Sequence, residues 1–116
     1  MQTRLQPISQ PISGQDISQL AELFRLLGDT SRLRIVLSCL HEPVSVSAMA
    51  WQLGLSQSLV SNHLRLLRGA RIVRAERRGK QVFYVAADAH IQCVIDDMVA
   101  HVAEPAKHKG SKDGRL

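Results

Sequence analysis

The sequence predicts a mainly α-helical single domain that carries a helix-turn-helix and one β-hairpin. Three observations predict it. Five stretches place apolar residues at the spacing of a helix face. A short glycine turn separates the third stretch from the fourth, at Gly54-Leu55-Ser56. Two runs rich in β-branched and aromatic residues, "IVRAER" and "QVFYV", flank Arg78-Gly79.

The elements follow in order. Residues 1–14 echo "QPIS" and carry Pro7, Pro11 and Gly14, which reads as a flexible arm. Asp16 is the expected cap of a first helix along Ile17, Leu20, Phe24 and Leu27, ended by Gly28. Asp29 or Thr30 starts a second, with Leu33, Val36, Leu37 and Leu40 at i, i+3, i+4 and i+7, and His41-Glu42-Pro43 breaks it. Ser45 caps a third, whose inner stripe is Val46, Met49, Ala50 and Leu53 and whose stop is Gly54. Ser56 caps a fourth with Val60, Leu64 and Leu67 inside, ended by Gly69. The hairpin turns at Arg78-Gly79, where glycine permits the positive φ of a tight turn. A last helix runs from about Asp88 to Glu104 with Ile91, Val94, Ile95, Met98 and Val102 as its stripe, and Pro105 stops it. The expected organisation is an arm at 1–14, one domain at 15–104 and a polar tail at 105–116.

A chain of 116 residues with only 3% aromatics builds one modest core from Leu, Ile, Val, Met and Ala. Domains of this size often gain stability by pairing. No apolar run reaches the roughly 20 residues of a membrane span, and the N-terminal stretch has no signal-peptide core. Cys39 and Cys93 are too few and too far apart for a disulfide scaffold, so the expected compartment is the reducing cytoplasm. Both cysteines read as small buried hydrophobes. No nucleophile–base pair or phosphate loop is visible, which argues against an enzyme.

Charge is concentrated. Arg65, Arg68, Arg71, Arg74, Arg77, Arg78 and Lys80 face only Glu76 across one 16-residue stretch, a local +6 against +5 for the whole chain. That points to a polyanion. On the fourth helix the outward residues are Gln57, Ser58, Ser61, Asn62, Arg65 and Arg68. Gln and Asn suit adenine and Arg suits guanine in a major groove. Arg77, Arg78 and Lys80 at the hairpin tip suit phosphates, which set affinity rather than sequence. His63 borders the apolar stripe and reads as ambiguous.

"LGDTSRLRIVLSCL", "VSAMAWQLGLSQSLVSNHLRLLRGARIV" and "RRGKQVFYV" resemble the ArsR/SmtB family of bacterial winged-helix repressors over roughly residues 16–104. The resemblance implies a winged helix-turn-helix, a homodimer joined through its N- and C-terminal helices, double-stranded operator DNA of two half-sites, and an inducer that releases it. One group in the family carries two cysteines on the third helix. The corresponding "VSVSAMAWQLG" has none. Another group uses the last helix in the pattern D-x-H-x10-H-x2-[EH]. Asp88, His90, His101 and Glu104 match it, which implies a metal site.

Helix geometry accounts for that spacing. Eleven residues return to within about 20° of the same face but rise roughly 16 Å. Zinc binds imidazole at about 2 Å, so one straight helix cannot close the site. Two copies packed antiparallel bring Asp88 and His90 of one to His101 and Glu104 of the other, twice per dimer. Two nitrogens and two carboxylates suit Zn(II), with Co(II) as a mimic. Ni(II) or Co(II) as the effector is the alternative, with His108 or Asp97 as added ligands. A thiol- or persulfide-responsive protein and a constitutive DNA-binding protein are the other readings. A ligand histidine's second ring N–H is expected to grip a carbonyl near the end of the reading helix.

Overall fold

A computed structural model describes residues 11–105. Five helices and a three-stranded sheet follow in the order α1 (Gly14–Leu27), α2 (Thr30–Ser38), β1 (Val44–Ser45), α3 (Val46–Leu53), α4 (Gln57–Gly69), β2 (Val73–Arg78), β3 (Gln81–Ala86) and α5 (Ala89–Ala103). This is the winged helix-turn-helix expected from the sequence. No described helix is long and apolar enough to cross a membrane.

Side-chain caps start every helix. Ser13 Oγ accepts from Asp16 N–H at 3.0 Å, so Ser13 caps α1 and Asp16 sits inside the first turn, correcting the expected cap. Asp29, Ser45, Ser56 and Asp88 cap α2, α3, α4 and α5, each accepting from the backbone N–H three residues on. Each such bond satisfies one donor that the helix itself leaves open.

Gly54 ends α3 at φ 69°, the left-handed region that a side chain disfavours. Leu55 N–H then returns to the Ala50 carbonyl at 3.0 Å, which makes the turn into α4 tight. Gly69 ends α4 as expected. It is the last helical residue, and the reversal falls at Arg71, the one described non-glycine residue with positive φ, at 61°. Ile72 N–H bonds the Leu67 carbonyl at 2.9 Å, so the closing turn is satisfied although an arginine occupies a place that favours glycine.

The sheet order is β1-β3-β2, all antiparallel. Arg78 pairs with Gln81 across a two-residue loop, and Gly79 takes φ 63° there. The short strand β1, pairing Val44 with Tyr84 and Ser45 with Phe83, was not expected. It ties the middle of β3 to the start of α3.

Ile35, Val36, Met49, Val60, Leu64, Leu67, Ile72 and Val73 are fully buried and form the core. Cys39 lies among them as expected. Cys93 does not: it is exposed, which corrects its reading as a buried hydrophobe. Successive helical residues turn about 100°, so position 93 stands far round α5 from Ile91 and Ile95, the two residues that face the core.

α1 and α5 differ from the other helices in how their apolar stripes are covered. Each carries the apolar stripe expected from its spacing, but only Leu26 on α1 and Ile95 on α5 are buried. Ile17, Leu20, Phe24, Val94, Met98 and Val102 are about half exposed or more. The protomer has a core on one side of these helices and open apolar surface on the other.

Candidate functional site

The first part of the site is α4. Its buried line of Val60, Leu64 and Leu67 fixes the helix's rotation. Gln57, Ser58, Ser61, Asn62 and Arg65 are all thereby exposed. Ser58, Ser61, Asn62 and Arg65 fall at i, i+3, i+4 and i+7, one face of the helix. Ser56 is committed to its cap through Leu59 N–H at 3.1 Å. His63 is partly buried, and its Nδ1 is enclosed without a hydrogen-bond partner among the described residues.

The wing has its own electrostatics. The Glu76 carboxylate accepts from Arg74 Nη1 at 2.6 Å and from Arg78 Nη2 at 3.1 Å. The Arg74 bond is the main cause that holds the Glu76 carboxyl below its ordinary range. Arg78 also lies over the Phe83 ring, 5.1 Å from its centre. Arg78 is therefore held along the hairpin. Arg77 and Lys80, also exposed, enter no ion pair among the described residues. The sequence could name these cations but not which of them Glu76 occupies, because that depends on strand pairing.

The second part is α5. Asp88 stands in extended backbone just before the helix, and its Oδ1 accepts from Ile91 N–H at 3.1 Å. His90 Nδ1 lies 3.7 Å from the same oxygen, and the His90 side chain is 95% exposed. The two thus share one end of α5 and open to solvent. His101 and Glu104 lie exposed at the other end, in the last turn and at the C-cap. Among the described residues, no three His, Cys, Asp or Glu side chains of one protomer gather to hold an ion. Asp97 is exposed on α5, and His108 lies outside the described residues.

Contacts that the sequence did not signal tie α5 to the body. Gln92 Nε2 donates to the Leu40 carbonyl at 3.0 Å, and His41 Nε2 meets Asp96 Oδ1 at 3.0 Å. Each joins residues more than fifty positions apart. Cys39 is enclosed, and burial pushes its thiol up to about 12.

Between α1, α2 and α5 runs an apolar groove of about 520 Å³, with Phe24, Leu33, Leu37, Val94, Met98 and Val102 on its walls. It continues the exposed stripes of α1 and α5. A contiguous apolar face of this kind on a small domain marks a contact surface.

Residues 29–75 match the family model described as bacterial regulatory protein, arsR family. That segment runs from the cap of α2 through the helix-turn-helix into β2. A transcriptional repressor SmtB homolog from Synechocystis is 36% identical over 86 residues, 74% of this chain and 65% of that protein's length. The regulator NmtR of Mycobacterium tuberculosis is 32% identical over 93 residues, 80% of this chain and 78% of its own. The solution structure of apo-NmtR superposes with a TM-score of 0.70 at 30% identity, covering 96% of this chain and 92% of that one. A homodimeric winged helix-turn-helix DNA-binding domain from Mycobacterium bovis superposes with a TM-score of 0.71 at 21% identity, over 87% of this chain and 97% of that one. It supports the fold alone. The relatives are regulators rather than enzymes. With an exposed polar face on α4, a basic wing and these relatives, the chain belongs to the ArsR/SmtB family of bacterial transcriptional regulators.

Proposed function

We propose that this protein is a cytoplasmic repressor that binds operator DNA as an apo homodimer and lets go when Zn(II) binds between its two α5 helices. The observation that carries the reading is the layout of α5. Two donor pairs stand exposed at opposite ends of one helix, beside an apolar stripe that the protomer does not cover.

The dimer forms by burying the α1 and α5 stripes against a second copy. Antiparallel α5 helices bring Asp88 and His90 to the His101 and Glu104 positions of the partner subunit. The residues present fit the ion. Asp88 stands outside the helix, so its carboxylate and the His90 imidazole converge instead of pointing along different faces. His101 and Glu104 are neighbours at i, i+3. These two imidazoles and two carboxylates would hold the ion, and Zn(II) would supply a divalent charge suited to that donor set.

DNA is held by α4 in the major groove through Gln57, Ser58, Ser61, Asn62 and Arg65, with Arg77, Arg78 and Lys80 of the wing on the backbone. Closing both α5 ends fixes the angle between protomers and so the spacing of the two α4 helices. A mismatch with the half-site spacing weakens binding, and a coupling of about 3 kcal/mol lowers affinity roughly 150-fold.

The test is Zn(II) titration of the dimer on an operator fragment selected in vitro. Release by metal in the wild type, with His101→Gln bound to DNA throughout, is the expected result. Unchanged affinity at saturating Zn(II) refutes the switch. The visible spectrum of the Co(II) form separates four-coordinate from higher coordination, and so this reading from a Ni(II)- or Co(II)-sensing one. A thiol switch through Cys39 is disfavoured, because burial keeps that thiol protonated.

A further inference from the structure

Trp51 is the sole tryptophan of the chain and, at 86% exposure, the most exposed large hydrophobic residue described. It stands on α3, away from the core line of Met49 and Ala50. Tryptophan is mostly buried in folded proteins, and a helix surface position accepts any polar residue instead. Its exposure leaves a large flat ring with one N–H donor available to another molecule.

The surroundings indicate which one. Trp51 shares a shallow depression of about 530 Å³ with Ser47, Gly54, Leu55 and Gln57. Gln57 is the first residue of the reading helix. Arg34 Nη2 donates to the Leu53 carbonyl at 3.1 Å, which sets a guanidinium at the last residue of α3, next in sequence to Gly54. The apolar groove assigned to the second copy is built on α1, α2 and α5 and shares no residue with it. In a helix-turn-helix, the helix before the turn crosses the sugar–phosphate backbone while the next one lies in the groove.

We propose that Trp51 is a DNA-backbone contact: its indole packs on a deoxyribose beside the reading helix, and Nε1–H donates to a neighbouring phosphate. The inference rests on the DNA-reading role of α4 and adds a residue on α3 to it. Such a contact raises affinity for every sequence alike. It is uncharged, so it leaves the salt dependence unchanged, whereas loss of a phosphate-bound lysine lowers the salt slope by about one.

The experiment uses the full-length protein and a fluorescein-labelled mixed-sequence duplex of roughly 30 base pairs at low salt, where non-specific binding is measurable. DNA anisotropy reports binding. In parallel, Trp51 emission and its quenching by acrylamide are followed with unlabelled duplex. The expected result is an emission change and protection from acrylamide with the same midpoint as the anisotropy. Trp51→Ala then binds about tenfold more weakly with an unchanged salt slope, and Trp51→Phe recovers part of the loss. DNA binding with unaltered emission, or a Trp51→Ala affinity within about twofold of wild type, overturns the proposal while leaving α4 as the reader. An emission change that follows protein concentration without DNA assigns Trp51 to a protein contact and also overturns it. No binding of duplex by the wild type removes the α4 reading and this inference together.

Discussion

Phe24→Ala tests whether the open face of α1 and α5 is a dimer interface. A phenylalanine presents roughly 200 Å², so 62% exposure leaves about 125 Å² uncovered in the protomer. At about 25 cal/mol/Å², covering it contributes about 3 kcal/mol per subunit. Alanine retains roughly a third of that area, so the substitution removes about 2 kcal/mol per subunit. The twofold axis uses the residue twice, giving about 4 kcal/mol per dimer and a dimerisation constant weaker by on the order of a thousandfold. That is the upper value, reached if the partner covers the ring fully. Sedimentation equilibrium over a concentration series measures the constant, and far-UV circular dichroism checks that the monomer stays folded. A dimer of unchanged affinity in a folded variant refutes the assignment. Zn(II)-dependent release from DNA should fail in parallel, since each half of the proposed metal site then lacks its complement.

Other outcomes follow from single features. Arg71→Gly removes a side chain from left-handed backbone and should raise stability by about 1 kcal/mol, read as a higher thermal midpoint. Glu76 should titrate below its ordinary value near 4.5 by NMR, and Arg74→Ala should move it back up. The folded-state value is the lower one, so its contribution is present above the unfolded value and is lost as pH falls through the folded one. The wing should therefore loosen under acid, and Glu76→Gln should abolish that pH dependence. Alkylation by iodoacetamide at neutral pH should label Cys93 and spare Cys39 until the chain unfolds, because Cys39 is enclosed with its thiol pushed up to about 12. Mass spectrometry of the native protein checks this.

The residues of the candidate site were legible because most of them answer to local rules. Ser56 precedes a helical stripe and caps it; Gln57 to Arg65 then face outward because Val60, Leu64 and Leu67 face in. Asp88 was legible as the start of the last helix, and in the structure it caps that helix. The first cap was misassigned because Ser13 and Asp16 both have the right chemistry, and only the backbone at Ser13 decides between them. Trp51 carried no signal at all, since a tryptophan at helical spacing reads equally as core or surface.

By itself the sequence determined what depends on neighbours a few positions away: helix starts, the glycine turns at Gly54 and Gly79, the hairpin, the cluster of cations and the spacing of donors along α5. Tertiary structure alone decided what depends on residues far apart. It joined Val44 to Tyr84 in a third strand, held α5 to the body through Gln92 and Asp96, and set Cys93 outward and Cys39 inward. It also left the stripes of α1 and α5 open. The physical reason is that periodicity says a helix has an apolar side, but only the packing of the whole chain says whether that side meets its own core or is left for another molecule.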